Sequence, residues 1–413
     1  MAKRPHPSDW LDRFVVASPP RGEDARELAR ALVDELGAPQ RHAPAVHIVG
    51  TAGKGSVASR LTTRVVAGGL RVATHQSPHV YDVRERFLLD GQLPAWDLVA
   101  AAIEEVDDAV GAVVATRGRA PTYFAVTAAL SWVLGRRHDV DVFVTEAGIG
   151  GRHDATAVLD RPDTLTVITH IGLDHVEVLG PTVEAIATEK AAVLAGREVA
   201  VLGPQADDRA VEVVRRAAIA AGVALHEVGG RHVDWRAAAD ATVDTVAPLL
   251  AAMLGRPVPA AEPEPMPGRY EVRSVAGRRV VLDGAHNPDK LAALDVVLAG
   301  DVRPRCVIAG LGAHKDLAAG AAALAQLGGP VVAVGFGDRR GSAPSSWTPA
   351  ELVDAVVAAG GMAEASASPV DAVRRALART EPGDTIVVTG SFLVLGPVAE
   401  ALAGAVPSSS SSG

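Results

Sequence analysis

Ala45-Val46-His47-Ile48-Val49-Gly50-Thr51-Ala52-Gly53-Lys54-Gly55-Ser56 decides how the rest of the chain is read. The apolar run predicts a buried strand. Gly50, Gly53 and Gly55 are set around Thr51, Ala52 and Lys54, and the following residues to Gly68 carry Val57, Leu61 and Val65 at helical spacing. Strand, glycine-rich turn and helix together make an anion cradle. Glycines let backbone N–H groups turn toward a phosphate, and the helix N-terminus adds its positive end. Lys54, expected on an exposed loop, would bring a point charge to the terminal phosphates, and Ser56 a hydroxyl to Mg²⁺. The spacing departs from G-x-x-x-x-G-K-[ST]: two residues separate Gly50 from Gly53, and Gly55 lies between Lys54 and Ser56. A glycine turn that binds nothing is the competing reading, disfavoured because a strand and a helix flank this one.

Composition narrows the classes. A length of 413 residues predicts two or three domains, and 48% hydrophobic residues supply sizeable cores. The net charge of -9 argues against a general nucleic-acid binder, whose affinity rests on clustered Lys and Arg. Any anionic substrate must meet local positive charge. The one cysteine, Cys306, lies in an apolar run and is expected to be a buried structural thiol. The stretch Met1–Pro7 lacks the apolar core of a signal peptide, and no apolar run looks long enough to span a bilayer. The expectation is a cytoplasmic protein that binds neither membrane nor nucleic acid.

In chain order, an N-terminal segment 8–14 and an amphipathic helix 22–36, with Leu28, Leu32 and Leu36 on one face, precede the glycine-rich loop. A strand 70–75 leads to the loop Gln76-Ser77-Pro78-His79-Val80-Tyr81. Helices are expected over 96–110 and 122–134, then a strand 140–146 whose terminal Glu146 meets a second glycine turn, 148–151. Strand 164–170, helix 182–194, strand 199–202, helix 207–221 and strand 223–228 follow. Such alternation predicts a mostly parallel sheet with helices on both faces.

The segment 256–268 is the linker candidate. Its five prolines, Pro257, Pro259, Pro263, Pro265 and Pro267, stiffen the chain and exclude regular structure. Beyond it a second alternating pattern begins with strand 279–282, the turn Asp283-Gly284-Ala285-His286-Asn287-Pro288 and a helix to about Leu298. Strands 306–309, 331–334 and 385–389 follow with helices between them. The domains are therefore placed at 1–262 and 263–413, a P-loop α/β domain and a smaller α/β domain. The serine run 408–413 is low-complexity, read as disordered or as a cloning remnant.

A site at the ends of parallel strands that handles ATP needs a metal among the phosphates. Glu146, ending a buried strand on the sheet edge that carries the phosphate loop, is the candidate carboxylate. A solvated strand-end glutamate is the plainer alternative. His170, Asp174 and His175 follow the next strand, but zinc sites usually take three or four protein ligands and no cysteine is near. On spacing alone, Lys190 reads as a surface charge.

Taken together these blocks resemble the folylpolyglutamate synthase and dihydrofolate synthase family of the Mur ligase superfamily, over nearly the whole chain. Residues 50–56 resemble its G-T-N-G-K-G-[ST] loop, 77–79 its S-P-H loop with 84–86 after it, and 146–156 its E-V-G-[LI]-G-G-R-x-D-A-T. Ile171–His175, Leu179-Gly180, Glu189–Ala191, Pro267–Glu271, Asp283–Pro288, Lys315-Asp316 and Thr389–Phe392 continue the series in order.

The resemblance implies an N-terminal Mur-ligase-like ATPase domain and a Rossmann-like glutamate-ligase domain that closes over it. It implies phosphorylation of a substrate carboxylate by ATP, then attack by the amino group of L-glutamate. Lys54 would hold the β/γ-phosphates, and Ser56, Ser77, Glu146 and His175 would lie at the metal, although histidine is an unusual Mg²⁺ ligand. Lys190 matches the family's carbamylated lysine. Arg269, Asp283 and His286 would reach the nucleotide, and Lys315 and Ser391 would place glutamate. The acyl substrate would be folate-like and the enzyme a monomer.

The departures are local. Ala52 stands for the family's Asn, Gln76 for Thr, and Ala125 for the acid of T-x-F-E. The H-Q-x-x-N-A block has its nearest candidate in 235–241, with Asp240 where Asn would be, and the stretch before Asp234 is short. These changes fall on substrate and base recognition more than on phosphate chemistry. Three alternatives stay open: the same ligation of a different carboxylic acid, a nucleotide-binding homologue without ligase activity, and a P-loop phosphotransferase or hydrolase.

Overall fold

The computed structural model describes residues 7–16, 19–230, 234–301, 305–337 and 346–405, in two compact units, 1–264 and 265–413. The serine tail and residues 231–233 before Asp234 lie outside the described residues.

The strands of the first unit are β1 (Ala45–Val49), β2 (Val72–His75), β3 (Phe87–Leu89), β4 (Val142–Glu146), β5 (Thr164–Ile168), β6 (Val199–Leu202) and β7 (Ala224–Glu227). Its helices are α1 (Pro7–Leu11), α2 (Gly22–Glu35), α3 (Lys54–Ala67), α4 (Trp96–Arg117), α5 (Tyr123–His138), α6 (Val176–Leu179), α7 (Val183–Ala191), α8 (Asp208–Ala221) and α9 (Trp235–Leu254). The sheet order is β3-β2-β4-β1-β5-β6-β7, parallel except for β3, which pairs antiparallel with β2. β1 lies between β4 and β5, with Ala45 opposite both Phe143 and Thr164. From β1 the chain first fills one side of the sheet and then the other. The carboxyl end of β1 is therefore the switch point at which open α/β sheets bind ligands.

Alternation along β1 sorts the core. Val46 and Ile48 pack with Val57, Leu61 and Val65 of α3 and with Val243, Val246 and Leu250 of α9. On the other face Ala45 and Phe143 pack with α2, α4 and α5, and Val49 and Ile168 with α7 and α8. Helices cover both faces, so central strands are buried on both sides and read as continuous apolar runs.

The second unit holds β8 (Glu271–Val275), β9 (Arg278–Leu282), β10 (Cys306–Ala309), β11 (Val331–Ala333), β12 (Ala363–Ala365) and β13 (Thr385–Thr389). Its helices are α10 (Pro288–Asp301), α11 (Leu317–Gln326), α12 (Pro349–Ala358), α13 (Pro369–Ala378) and α14 (Phe392–Gly404). The order is β12-β11-β10-β13-β9-β8, with β8 antiparallel to β9 at the edge. Cys306 is fully buried in β10 and its thiol is pushed up to about 11 by burial.

Three expectations need correction. The hairpin strand β8 and the short β3 and β12 were invisible in the sequence. The first two are antiparallel edge strands, and all three are too short or too polar to stand out. Helix α3 begins at Lys54, so Lys54 sits on the first turn of a helix and not on an exposed loop. Among the described residues one helix, α9, is long and apolar enough to cross a membrane, where the sequence reading saw none. Its apolar face packs on α3 and its polar face forms ion pairs from Arg60 to Asp240 and from Arg64 to Asp244, both at 2.5 Å, so it is a core helix here.

Candidate active site

The phosphate loop is held from beneath. Gly53 takes φ +86, a left-handed conformation that ends the turn and starts α3. Gly50 takes φ +154, and a Cβ there would lie 1.9 Å from the Thr169 hydroxyl, so only glycine fits. The N–H groups of Thr51 and Ala52 donate to the His170 carbonyl at 2.7 and 3.3 Å, and the Thr51 hydroxyl bonds the Gly172 carbonyl at 3.0 Å. Those two N–H groups thus face the 169–172 segment. The donors left for an anion are the first-turn N–H groups of α3, which have no partner within a helix.

Lys54 and Lys190 converge on this loop. Lys54 Nζ donates to the Gly50 carbonyl at 3.1 Å and lies 3.8 Å from Glu146 Oε1. Lys190 Nζ donates to the same carbonyl at 2.9 Å. Lys190, read from spacing as a surface charge, is 3% exposed. The periodicity of α7 is too weak to show which face is covered; Gly151, whose Cβ would meet the Glu189 carbonyl at 2.7 Å, brings the second glycine turn against α7 and closes over it. Two ammonium groups on one carbonyl oxygen make a concentrated cation site.

Glu146 is buried at the end of β4, beside β1 in register with Ile48. Its Oε2 accepts from the Ser77 N–H at 3.1 Å, which joins the β2 end to the site. Ser56 is buried in the first turn of α3. Ser56, Ser77 and Glu146 offer hard oxygen donors, a set that suits Mg²⁺. Among the described residues no group of three or more His, Cys, Asp or Glu could hold a metal unaided. The donor set therefore fits an ion that binds through one or two carboxylates plus phosphate oxygens and water. His175 takes φ 51 at the N-cap of α6, with its ring nitrogen 3.8 Å from Glu177.

Two residues of this edge, Asp154 and Glu85, fall in sequence blocks that gave them no role. Asp154 is buried, and its Oδ2 accepts from Gly148 and Ile149 N–H at 2.9 and 3.0 Å, which fixes the turn after Glu146. Its Oδ1 accepts from the Thr156 hydroxyl at 2.5 Å, which in turn meets His47 Nε2 at 2.7 Å. Burial pushes Asp154 up, and burial with the charge of Arg197 pulls His47 down to about 3. His47, a lone polar residue in an apolar strand, was the available signal. On the β2 side, the Glu85 carboxylate accepts three backbone N–H bonds from Val80, Tyr81 and Asp82 at 2.7, 2.9 and 2.9 Å, which shapes the loop after Ser77.

Asp240 donates nothing. Its carboxylate takes the Arg60 guanidinium, which also lies 5.9 Å from the Trp235 ring. Ala125 is buried one turn into α5, where its N–H is capped by the Thr122 hydroxyl at 3.1 Å.

In the second unit, the candidate residues sit on one edge of the smaller sheet. Asp283, directly after β9, accepts from Tyr270 and Ala285 N–H at 2.8 and 2.9 Å, and burial pushes it up to about 6. Arg269 lies over the Phe392 ring at 5.0 Å. His286 Nδ1 bonds the Gly284 carbonyl at 2.7 Å and its Nε2 lies 3.0 Å from Lys290 Nζ, a neighbour the sequence did not single out. Ser391 follows β13 and caps α14 through the Leu393 N–H at 3.2 Å. Lys315 follows β10, and its carbonyl accepts from the Trp347 indole at 3.2 Å. The structure thus brings Arg269 and His286 to Phe392, with Asp283 close enough to feel the charge of Arg269, while Lys315 lies in the turn between β10 and α11.

Comparison with known proteins places this geometry. Residues 268–392 match the glutamate ligase domain model of Mur ligases. A folylpolyglutamate synthase of Lacticaseibacillus casei is 29% identical over 90% of this chain and 93% of its own length. The folylpolyglutamate synthase of Mycobacterium tuberculosis, solved with ADP, superposes with a TM-score of 0.79 at 27% identity, covering 96% of this chain and 97% of that one. Over nearly its whole length this chain is similar to folylpolyglutamate synthases, and its residues 268–392 match the Mur ligase glutamate ligase domain. A longer relative, a probable bifunctional folylpolyglutamate synthase/dihydropteroate synthase of Halobacterium salinarum, is 35% identical over 71% of this chain, but the chain spans only 40% of its length. The phosphate loop, the Glu146 turn and the Asp283 turn each lie at the end of a strand.

Proposed function

We propose that this chain is an ATP-dependent, ADP-forming ligase that joins L-glutamate to the carboxylate of a folate or dihydropteroate. The observation that carries the reading is the convergence of Lys54 and Lys190 on the Gly50 carbonyl beside buried Glu146. The match of residues 268–392 to the Mur ligase glutamate ligase domain and the ADP bound to the M. tuberculosis relative support it.

The chemistry follows from the groups present. A carboxylate is a poor acyl donor. Attack of its oxygen on the γ-phosphorus of ATP forms an acyl phosphate and expels ADP. The amine of glutamate then attacks the carbonyl carbon, and phosphate leaves with the carboxylate oxygen. Lys54 and the first-turn N–H groups of α3 hold the phosphates and meet the charge that develops on the transferring group. Gly50, Thr51, Gly53, Gly55 and Ser56 shape that loop. Ser56, Ser77 and Glu146, with His175 nearby, would hold Mg²⁺, which when bound would shield phosphate charge. Carbamylation of Lys190 would turn one of two crowded cations into a carboxylate and relieve their repulsion. Arg269, Asp283 and His286 serve the nucleotide, and Lys315 and Ser391 the incoming glutamate. The enzyme works as a monomer in the cytoplasm, where ATP is available.

A second acid remains a live substrate because Ala125 and Asp240 cannot supply the contacts the family places there. Ala125 is buried without a polar side chain, and Asp240 is held by Arg60. The test is ADP release with dihydropteroate, tetrahydrofolate and simple aryl acids, each with glutamate, and masses of the products. A pterin acid is expected to support release and gain the mass of added glutamate. Release with another acid alone overturns the folate assignment, and release independent of any amine overturns ligation.

A further inference from the structure

The phosphate loop makes more bonds to a neighbouring segment than to its own helix. Thr169 N–H donates to the Val49 carbonyl at 2.8 Å, and its hydroxyl lies within hydrogen-bond distance of the carbonyls of Ala52, at 2.8 Å, and Val49, at 3.2 Å. A short bridge pairs Ala52 with His170, and the Thr51 hydroxyl both donates to Gly172 and accepts from its N–H. The glycine at position 50 is required by the same approach, since its missing Cβ leaves room for the Thr169 hydroxyl.

That segment is itself fixed by one side chain. Gln205, on the turn between β6 and α8, is 9% exposed. Its Oε1 accepts from Ile171 N–H at 2.8 Å, and its Nε2 donates to the carbonyls of Thr169 at 3.0 Å and Gly203 at 2.9 Å. One amide thus holds the residues on either side of His170, whose carbonyl receives Thr51 and Ala52. Gly203 N–H adds a bond to Ile168 at 2.8 Å, so the turn carrying Gln205 is tied to the same strand end.

We propose that Gln205 and Thr169 are positioning residues of the nucleotide site: a brace that fixes the phosphate loop and sets nucleotide affinity without touching the nucleotide. The proposal rests on the nucleotide reading given above. Its logic is preorganisation. A loop held in its binding conformation spends no affinity on ordering, whereas a loop freed from the brace binds only through the fraction of molecules that hold the right shape. Both residues lie outside the loop, on chain segments more than a hundred residues beyond it in sequence, so no local motif records them.

Gln205→Met keeps the volume of the side chain and removes its bonds; Thr169→Val removes the hydroxyl, and Thr169→Ser retains it. Full-length wild type and variants are compared by ADP titration calorimetry, by steady-state KM for ATP and for glutamate, and by hydrogen exchange of the Thr51 and Ala52 amides without nucleotide. Gln205→Met and Thr169→Val are expected to weaken ADP and raise KM for ATP about tenfold, with KM for glutamate little changed. Thr169→Ser is expected to stay within about twofold of wild type on both, a rescue that a volume effect would not give. The Thr51 and Ala52 amides should exchange faster in the two weakened variants while those of β1 keep their protection. Unchanged ADP affinity and amide protection in folded Thr169→Val overturn the brace, as does an equal rise in both KM values. If Gln205→Met does not fold, the Thr169→Val and Thr169→Ser pair decides alone. A wild type that binds no ADP sinks the nucleotide reading instead, and the exchange measurement still judges the brace.

Discussion

The two units carry the same device, a parallel strand ending in a glycine turn before a helix, with opposite charge at its end. At β1 two lysine ammonium groups gather on the Gly50 carbonyl. At β9 a half-buried carboxylate, Asp283, takes two backbone N–H bonds. The topology supplies a strand end open to ligands, and the side chains decide what it accepts. The first end is made for a polyanion. The second places a carboxylate that burial leaves easier to protonate.

The sharpest way to break this comparison is to remove the cation from the first end. Lys54→Ala is expected to lower kcat/KM at least about a thousandfold, or about 4 kcal/mol, while far-ultraviolet circular dichroism stays unchanged. The matching change at the second end, Asp283→Asn, keeps the side-chain volume but turns one acceptor into a donor facing Tyr270 or Ala285 N–H, and should cost less than the lost lysine. Normal turnover by Lys54→Ala would mean that the phosphates bind elsewhere.

Acid should separate the units next. His47 and His75 are buried and held neutral, both pulled down to about 3, mainly by burial. Unfolded, each takes a proton near 6.5, so their contribution is whole above that pH and is lost as pH falls toward 3. At pH 4.5 the loss should be about 2–3 kcal/mol per histidine, partly offset by Asp154, whose raised pKa works the other way. Asp283 has a folded pKa raised to about 6, so the second unit gains stability as pH falls from 6 toward 4. Its arginine-paired Glu364 and Asp371 are held low and begin to cost only at lower pH. Residue-resolved hydrogen exchange at pH 7 and 4.5, corrected for intrinsic rates, should show the first unit loosening and the second holding. Parallel loosening of both would contradict it.

A smaller effect tests the turn behind Glu146. Asp154→Asn replaces an acceptor oxygen by a donor facing either two backbone N–H groups or the Thr156 hydroxyl, and should destabilise the first unit by about 2 kcal/mol in urea unfolding. Smallest is the surface of α3 against α9: Arg60→Met breaks the pair with half-exposed Asp240 and should cost no more than about 1 kcal/mol.

Much of the first unit was legible because its signals are local. The strand 199–202 fell where its apolar run placed it, as did the strands at 306 and 385 in the second unit, and Gly50 to Ser56 carries its own flanking strand and helix. What stayed hidden depends on distant segments meeting. Lys190 became a buried partner of the phosphate loop only when α7 folded against the glycine turn at 151, and Gln205 reaches Thr169 across a turn that carries no motif. Edge strands such as β8 were missed because Glu271, Arg273 and Ser274 interrupt the apolar pattern and Val272 faces outward. The partner of His286, Lys290, sits one helical turn along α10, a spacing shared by countless surface lysines.

The central claim is that the first unit's cations serve transfer of phosphate to a carboxylate. Acyl acid labelled with ¹⁸O in its carboxylate, turned over with ATP and glutamate, tests it most directly by mass analysis of the released phosphate. Acyl phosphate chemistry requires one ¹⁸O in each phosphate formed along with amide. Phosphate released without label while amide accumulates would contradict it.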